Sequence, residues 1–364
     1  MRAAVLSEIP GKLQIDEVQI DKPGPREVLI RTAAAGLCHS DLHFMEGKYQ
    51  CPLPVVLGHE SAGVVEEVGD QVTYVQPGDH VITCLSVYCG NCEHCLTGHL
   101  SLCGNKAAVQ RPLDRAQRLT RGGEPMWQFA DLSSFAETML VHEHAIVKIR
   151  PDMPLDRAAL IGCGVTTGVG AVFNTAKVEP GTTVAVIGCG GIGLNCIQAA
   201  AIAGAGRVIA VDRIPEKLEL AKTFGATDLV DASDGNSVPQ VQELTDGGVH
   251  YSFEAIGLKA TAQEAFAMLR RGGTATVIGM VPLGQTVEIP GFELLYEKKL
   301  QGSNMGSNRF RVDMPRYIDL YMDGRLKLDE LVSQRITLDD VNDGFEAMKT
   351  GSVARSVIVF ASTP

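Results

Sequence analysis

Residues 184–193 read Val184-Ala185-Val186-Ile187-Gly188-Cys189-Gly190-Gly191-Ile192-Gly193. Four consecutive apolar residues, three of them β-branched, suit a strand buried on both faces, as parallel sheets require. The G-x-G-x-x-G cluster that follows opens an alanine-rich stretch, 194–205, which reads as a helix. Alone the glycine pattern is a weak signal. Between a strand and a helix, its glycines let a pyrophosphate approach the backbone at the helix N-terminus. A second apolar run, 208–211, closes at Asp212, roughly 20 residues on, where a carboxylate binds adenosine ribose hydroxyls. A negative charge there repels a 2′-phosphate, so NAD is expected over NADP, with the adjacent Arg213 pulling the other way. The alternation continues with a helix at 216–224 ending at Gly225 and a later strand, Thr276-Val277-Ile278-Gly279. The expected class is therefore α/β with a doubly wound parallel sheet. The uncharged run 180–206 is long enough to cross a bilayer. Its glycine cluster, Asn195 and Gln198 favour strand, turn and helix instead, and no membrane segment is expected.

Outward from this core the texture changes. The first third is β-rich, with short apolar runs at 28–30 and 62–65 and turns such as Lys22-Pro23-Gly24-Pro25 and Gln76-Pro77-Gly78-Asp79. Residues 104–131 are polar and irregular, with Arg111, Arg115, Arg118 and Arg121 scattered among prolines and glycines, and read as a long surface excursion. At its end Met126, Trp127 and Phe129 can line an apolar pocket or pack the domain shell. The tail carries an amphipathic helix at 314–322 and a final strand at 356–360. At 364 residues, the chain exceeds the ~250–300 that one core supports. The reading is one sheet inserted into a second domain made from both chain ends. A composition of 45% hydrophobic and 21% charged residues is that of a soluble globular protein. The net charge of −11 argues against nucleic acid, which needs a basic field. Ten cysteines are too few for a disulfide scaffold, and Glu8 and Pro10 interrupt any apolar leader. A reducing, cytoplasmic location is expected, with clustered cysteines serving as metal ligands or catalytic groups.

Two cysteine patterns carry chemistry. Cys89, Cys92, Cys95 and Cys103 are spaced C-x2-C-x2-C-x7-C, and four thiolates so close in sequence suit a closed tetrahedral structural zinc. An iron–sulfur cluster is the rival, but its run places the fourth cysteine after three residues and follows it with proline. Here the gap is seven and Gly104 follows. The second pattern is dispersed: Cys38-His39-Ser40-Asp41-Leu42-His43, then Gly58-His59-Glu60, then Gly162-Cys163-Gly164. Cys38, His59 and Cys163 together describe an open zinc site, with Asp41 placed to hold the other ring nitrogen of His59. Taken singly, each is more often a buried cysteine or a satisfied histidine.

In combination these motifs resemble the zinc-dependent medium-chain alcohol dehydrogenases over essentially the whole chain, and most of all their class III (formaldehyde dehydrogenase-like) branch and its bacterial relatives. The resemblance implies a β-rich, GroES-like catalytic domain at 1–163 with its zinc lobe at 84–104, a Rossmann NAD-binding domain at 164–304, and a return to the catalytic domain at 305–364. Two cysteines and a histidine are this family's catalytic ligand set, which implies Cys38, His59 and Cys163 on the catalytic zinc, with Glu60 as an occasional ligand. Cys89, Cys92, Cys95 and Cys103 would hold the structural zinc. Ser40 would pass the alcohol proton, through the cofactor ribose, to His43. His39 and Arg355 would face the pyrophosphate, where many relatives carry arginine in place of His39. Thr167 would lie on the nicotinamide side, Asp212 and Lys217 would hold the adenosine ribose, and Ile278 would join the cofactor-binding set. The implied reaction interconverts an alcohol and an aldehyde or ketone with NAD, in a homodimer. One departure concerns substrate. Members that oxidise the glutathione adduct of formaldehyde carry acidic residues in the loop before the Gly-His-Glu motif, whereas this chain has Gly47-Lys48-Tyr49-Gln50, with only Glu46 nearby. An ordinary alcohol is therefore expected. The alternatives are the thiol adduct or a permanently bound NAD on the same scaffold and, from another class, a zinc-ribbon binding protein.

Overall fold

The structure, a computed structural model, describes residues 1–112, 115–350 and 354–361. The chain forms two compact units. The first comprises Met1–Gly164, Arg309–Gly324 and Leu328–Pro364; the second comprises Val165–Asn308 and Arg325–Lys327.

The second unit is built on six parallel strands. In spatial order they are Asp228–Asp231, Arg207–Asp212, Thr183–Ile187, Val249–Glu254, Leu269–Val277 and Lys299–Gly302. From Thr183–Ile187 the chain winds outward one way, then restarts on the other flank with Val249–Glu254. The carboxyl ends of those two strands therefore border the switch point, where doubly wound sheets bind ligands. Val184, Ala185, Val186 and Ile187 are all buried, as helices on both faces demand. The helix after the glycine cluster runs Gly191–Ile202, so it opens within the cluster rather than after it. The strand expected at 276–279 is the end of a longer one, Leu269–Val277, with Ile278 just beyond it.

In the first unit the longest strand, Glu27–Gly36, pairs with Ser61–Val68, Thr138–His142 and Arg355–Val359. A second sheet contains Arg2–Leu6, Gln14–Glu17, Val55–Val56, Leu119–Arg121 and Glu124–Gln128. This corrects the reading of 104–131 as a surface excursion. Two of its segments are strands of this sheet, and Met126 lies buried in one core with Val5 and Leu119, while Trp127 is 47% exposed. Arg118 is buried, and Arg111 and Arg118 converge on Glu27 through hydrogen bonds of 3.0 and 2.7 Å. Burial pushes the Glu27 carboxyl up, but the Arg111 hydrogen bonds and the Arg118 charge bring it down to about 2. A run of arginines looks solvated when the acid that buries it lies far away in sequence.

The helical run Leu155–Ala176 is long and apolar enough to cross a membrane, and 83% of its most apolar window is buried within the protein.

Candidate active site

Strand register assembles the site. Ala35 pairs with Ser61, and Gly36 N–H donates to the Glu60 carbonyl at 2.8 Å. The chain leaving one strand, at Cys38, is thus laid beside the chain entering the other, at His59. Cys163 arrives on a π-helical turn, Ile161–Val165, an irregularity found often at functional sites. Gly162 in that turn packs so closely that a Cβ would lie 2.8 Å from the Thr83 carbonyl and 3.3 Å from Ser61 N. The donor atoms of Cys38, His59 and Cys163 all lie within 4.8 Å of one another, and all three residues are buried. His59 Nδ1 lies 3.2 Å from Asp41 Oδ1, which also accepts from Gly58 N at 3.0 Å. That fixes the ring and turns Nε2 toward the two sulfurs. Nε2 is buried and has no hydrogen-bond partner among the described residues. A buried ring nitrogen so left is costly unless something binds it, and a Cys2His donor set suits zinc. The residues fit the ion.

Around these donors lie other residues singled out from sequence. Cys38 caps the short helix His39–Met45, with Ser40 Oγ 3.7 Å from its sulfur. His43, on the same helix face three residues after Ser40, is half-buried. Burial first, then the Lys48 charge, lowers its imidazole below the usual value. Its Nδ1 has no partner among the described residues. His39 is exposed at the start of the helix. Glu60 lies beside the donors but outside their cluster, 3.6 Å from Arg355 and accepting from Gly164 N at 3.2 Å. Burial pushes its carboxyl up to about 7 against the Arg355 charge. Arg355 is itself buried and donates to the Leu37 carbonyl at 3.0 Å.

Sequence reasoning missed an aromatic wall. Phe129 lies edge-on to His59 at 5.8 Å and to Phe44 at 4.9 Å, and Tyr49 extends the group at 5.8 Å from Phe44. Phe129 stands out in the sequence at the end of the 104–131 segment; Phe44 does not, although it shares a helix with Ser40 and His43.

Cys89, Cys92, Cys95 and Cys103 form the second cluster, their sulfurs likewise within 4.8 Å of one another. Backbone N–H groups of Cys95 and Gly104 draw the Cys92 thiol down to about 6, while burial first, then the neighbouring thiols, push that of Cys95 up to about 12. The lobe is braced by Tyr88, whose ring stacks on His144 at 4.4 Å beneath the Arg311 guanidinium at 5.7 Å.

In the second unit Gly188 takes φ +95°, and a Cβ there would lie 2.6 Å from Ile256. At Gly190 a Cβ would meet nothing within 4 Å. No neighbouring protein atom requires that glycine, so the open backbone suits the close approach of a phosphate. Asp212 accepts from Cys189 N at 2.7 Å, Arg213 N at 2.8 Å and Ile214 N at 3.0 Å, tying the glycine turn to the next strand. Arg213 is exposed and Lys217 half-buried. Thr167 is buried and donates to Met305 Sδ at 3.3 Å. Ile278 N donates to the Glu254 carbonyl at 2.9 Å. The glycine turn, its helix and Asp212 fit a dinucleotide.

A doubly wound sheet with an open glycine turn, joined in one chain to a buried Cys–His–Cys donor set and a four-thiol lobe, has the make-up of a zinc-binding dehydrogenase. Family models agree: residues 24–151 match the alcohol dehydrogenase GroES-like domain and 191–322 the zinc-binding dehydrogenase domain. The chain is 38% identical to an alcohol dehydrogenase class-3 of Oryza sativa subsp. japonica, covering 98% of this chain and 96% of that one. It is 40% identical to an S-(hydroxymethyl)glutathione dehydrogenase of Synechocystis sp., covering 98% and 99%. The crystal structure of benzyl alcohol dehydrogenase from Acinetobacter calcoaceticus superposes with a TM-score of 0.94 at 33% identity, covering 99% of both chains. The chain belongs to the zinc-dependent alcohol dehydrogenase family, and it is an oxidoreductase acting on small-molecule alcohols and aldehydes.

Proposed function

We propose that this enzyme oxidises apolar, aromatic-type alcohols with exchangeable NAD, using a catalytic zinc at Cys38, His59 and Cys163. The observation that carries the reading is the buried His59 Nε2, without a hydrogen-bond partner among the described residues, beside two thiols. When bound, the zinc supplies Lewis acidity at the substrate oxygen and NAD takes up the hydride. The chain's own residues do the rest. Asp41 holds the His59 ring in place. Phe44 and Phe129 give the substrate's apolar part a surface to pack on and exclude water. Ser40 would receive the hydroxyl proton and His43, whose imidazole burial holds below its usual value, would pass it on to solvent. His39 and Arg355 serve the pyrophosphate side and Thr167 the nicotinamide side. The glycine turn and Ile278 take the dinucleotide, with Asp212 and Lys217 on its ribose. Cys89, Cys92, Cys95 and Cys103 hold a second, structural zinc.

Asp212 supports NAD over NADP, because its carboxylate repels a 2′-phosphate. Its three backbone hydrogen bonds add that Asp212→Gly should loosen the glycine turn as well as relax the preference. The homodimer reading is supported by an exposed apolar run in the second unit, with Leu283 83%, Phe292 67% and Leu295 74% exposed, just before the edge strand Lys299–Gly302. Ten free cysteines suit a reducing cytoplasm.

A second reading, oxidation of S-(hydroxymethyl)glutathione, is favoured by the class-3 relatives. Against it, Glu46, the one acid beside the 47–50 loop, is paired with Lys48 at 2.9 Å. NADH formation from benzyl, allylic and short primary alcohols, compared with formaldehyde plus glutathione, separates the two. Turnover of benzyl-type alcohols without thiol is expected; strict dependence on glutathione would overturn the proposal.

A further inference from the structure

The glycine turn faces a second turn that the reaction scheme leaves unused. Glu254 ends its strand directly across from Ile187, at the switch point, and Ala255 N donates to the Ile187 carbonyl at 2.9 Å. Its side chain is fully buried. Glu254 Oε1 accepts from Ile256 N at 2.9 Å, Gly257 N at 2.7 Å and Thr261 Oγ1 at 2.8 Å. Oε2 has no partner among the described residues. An aliphatic residue would fill this core position without burying a carboxyl group. All three donors come from the chain immediately after the strand. The carboxylate therefore serves the turn rather than the sheet.

That turn bears on the proposed dinucleotide crevice from two sides. Ile256, 44% exposed, sits against Gly188, where a Cβ would lie 2.6 Å from it. The Glu254 carbonyl accepts from Ile278 N and from Gly279 N at 3.1 Å, and a Cβ on Gly279 would lie 2.1 Å from Gly257 N. The turns after three neighbouring strands are thus nested backbone to backbone, with one carboxyl group holding the middle one.

We infer that Glu254 is a positioning residue for the dinucleotide: it locks the turn that sets Ile256 against Gly188 as the apolar wall of the crevice and fixes the height of Ile278. The inference rests on the NAD reading given above. Its test is equilibrium binding of NADH to the full-length protein, followed by fluorescence, with thermal melting alongside. Glu254→Ala should weaken NADH binding about tenfold, the order of one lost buried hydrogen bond. Glu254→Gln, which keeps the accepting oxygen, should restore binding to within about threefold of the wild type on the same scale. A purely structural role would lower the melting temperature of Glu254→Ala and leave the Kd unchanged, and that result overturns the inference. So would a Glu254→Gln variant that binds as poorly as Glu254→Ala. Should Glu254→Ala fail to fold, Ile256→Ala decides, because its side chain is half-exposed: weakened binding supports the wall, and an unchanged Kd overturns it. Wild-type protein that binds no NADH would instead remove the cofactor reading itself.

Discussion

The two cysteine-bearing sites are built in opposite ways. The lobe of Cys89, Cys92, Cys95 and Cys103 is a single short loop whose thiols, Cys103 apart, are half-exposed. Its only regular structure is one turn of helix, Glu93–Leu96, and a 3-10 turn, Leu100–Leu102. A metal bound to its four thiols would hold such a loop closed. The Cys38–His59–Cys163 set is drawn from three distant segments, wholly buried, and fixed by strand register, a π-helical turn and Asp41 before any ion binds. In the lobe a metal would carry the fold; in the triad the fold would carry a metal. On the proposed reading, zinc would contribute chiefly stability at the first and chiefly chemistry at the second.

The largest expected effect tests the chemical half of that contrast. Cys163→Ser should lose at least ~10³-fold in turnover, the order of the charge stabilisation a metal supplies, with its melting temperature close to that of the wild type. Extensive unfolding of this variant would mean that the two roles are exchanged. His43→Gln comes next, with a loss of ~10²-fold, the lower end of general acid–base help, and partial rescue by added imidazole. Wild-type rates for His43→Gln between pH 6 and 9 would leave Ser40 alone to account for the proton. The stability half is tested by Cys92→Ser, whose melting temperature should fall by roughly 5–10 °C while the remaining folded enzyme keeps its turnover number.

The smallest effect concerns the support behind the lobe, where Arg111 and Arg118 tie the following segment to Glu27. The Glu27 carboxyl sits at about 2 against an ordinary 4.5, and burial with the His144 charge puts His142 at about 3 against 6.5. In both cases the unfolded chain binds protons more readily. The Glu27 contribution, roughly 3 kcal/mol on this shift, is complete above pH 4.5 and fades as pH falls toward 2. That of His142 is complete above 6.5 and fades toward 3. Melting temperature should thus drop on acidification, and Glu27→Gln should be less stable at neutral pH but flatter below pH 4.5. Parallel curves for the two proteins would remove Glu27 as the hub.

Legibility in the sequence followed the range of the contacts. The glycine turn and the four-cysteine lobe are local, so their spacing, with the strand and helix flanking the turn, makes them legible. The triad lies at positions 38, 59 and 163, and its members made a convincing set only through the resemblance, because no local pattern states that Ala35 pairs with Ser61. The 104–131 segment reads as solvated in sequence because Arg111 and Arg118 take their burial from Glu27, an acid that precedes them by more than eighty residues. Phe44 went unremarked because an aromatic on a short helix looks like ordinary core until Phe129 is seen against it. Glu254 left no trace, since its partners are mainly backbone N–H groups.

The most direct test of the division between the sites is zinc content measured beside alcohol turnover for the wild type, Cys163→Ser and Cys92→Ser. Two equivalents per chain with full turnover are expected for the wild type. Cys163→Ser should hold one equivalent, melt normally and turn over nothing, and Cys92→Ser should hold one equivalent, melt early and still turn over. Turnover retained by Cys163→Ser, or lost from folded Cys92→Ser, would contradict it.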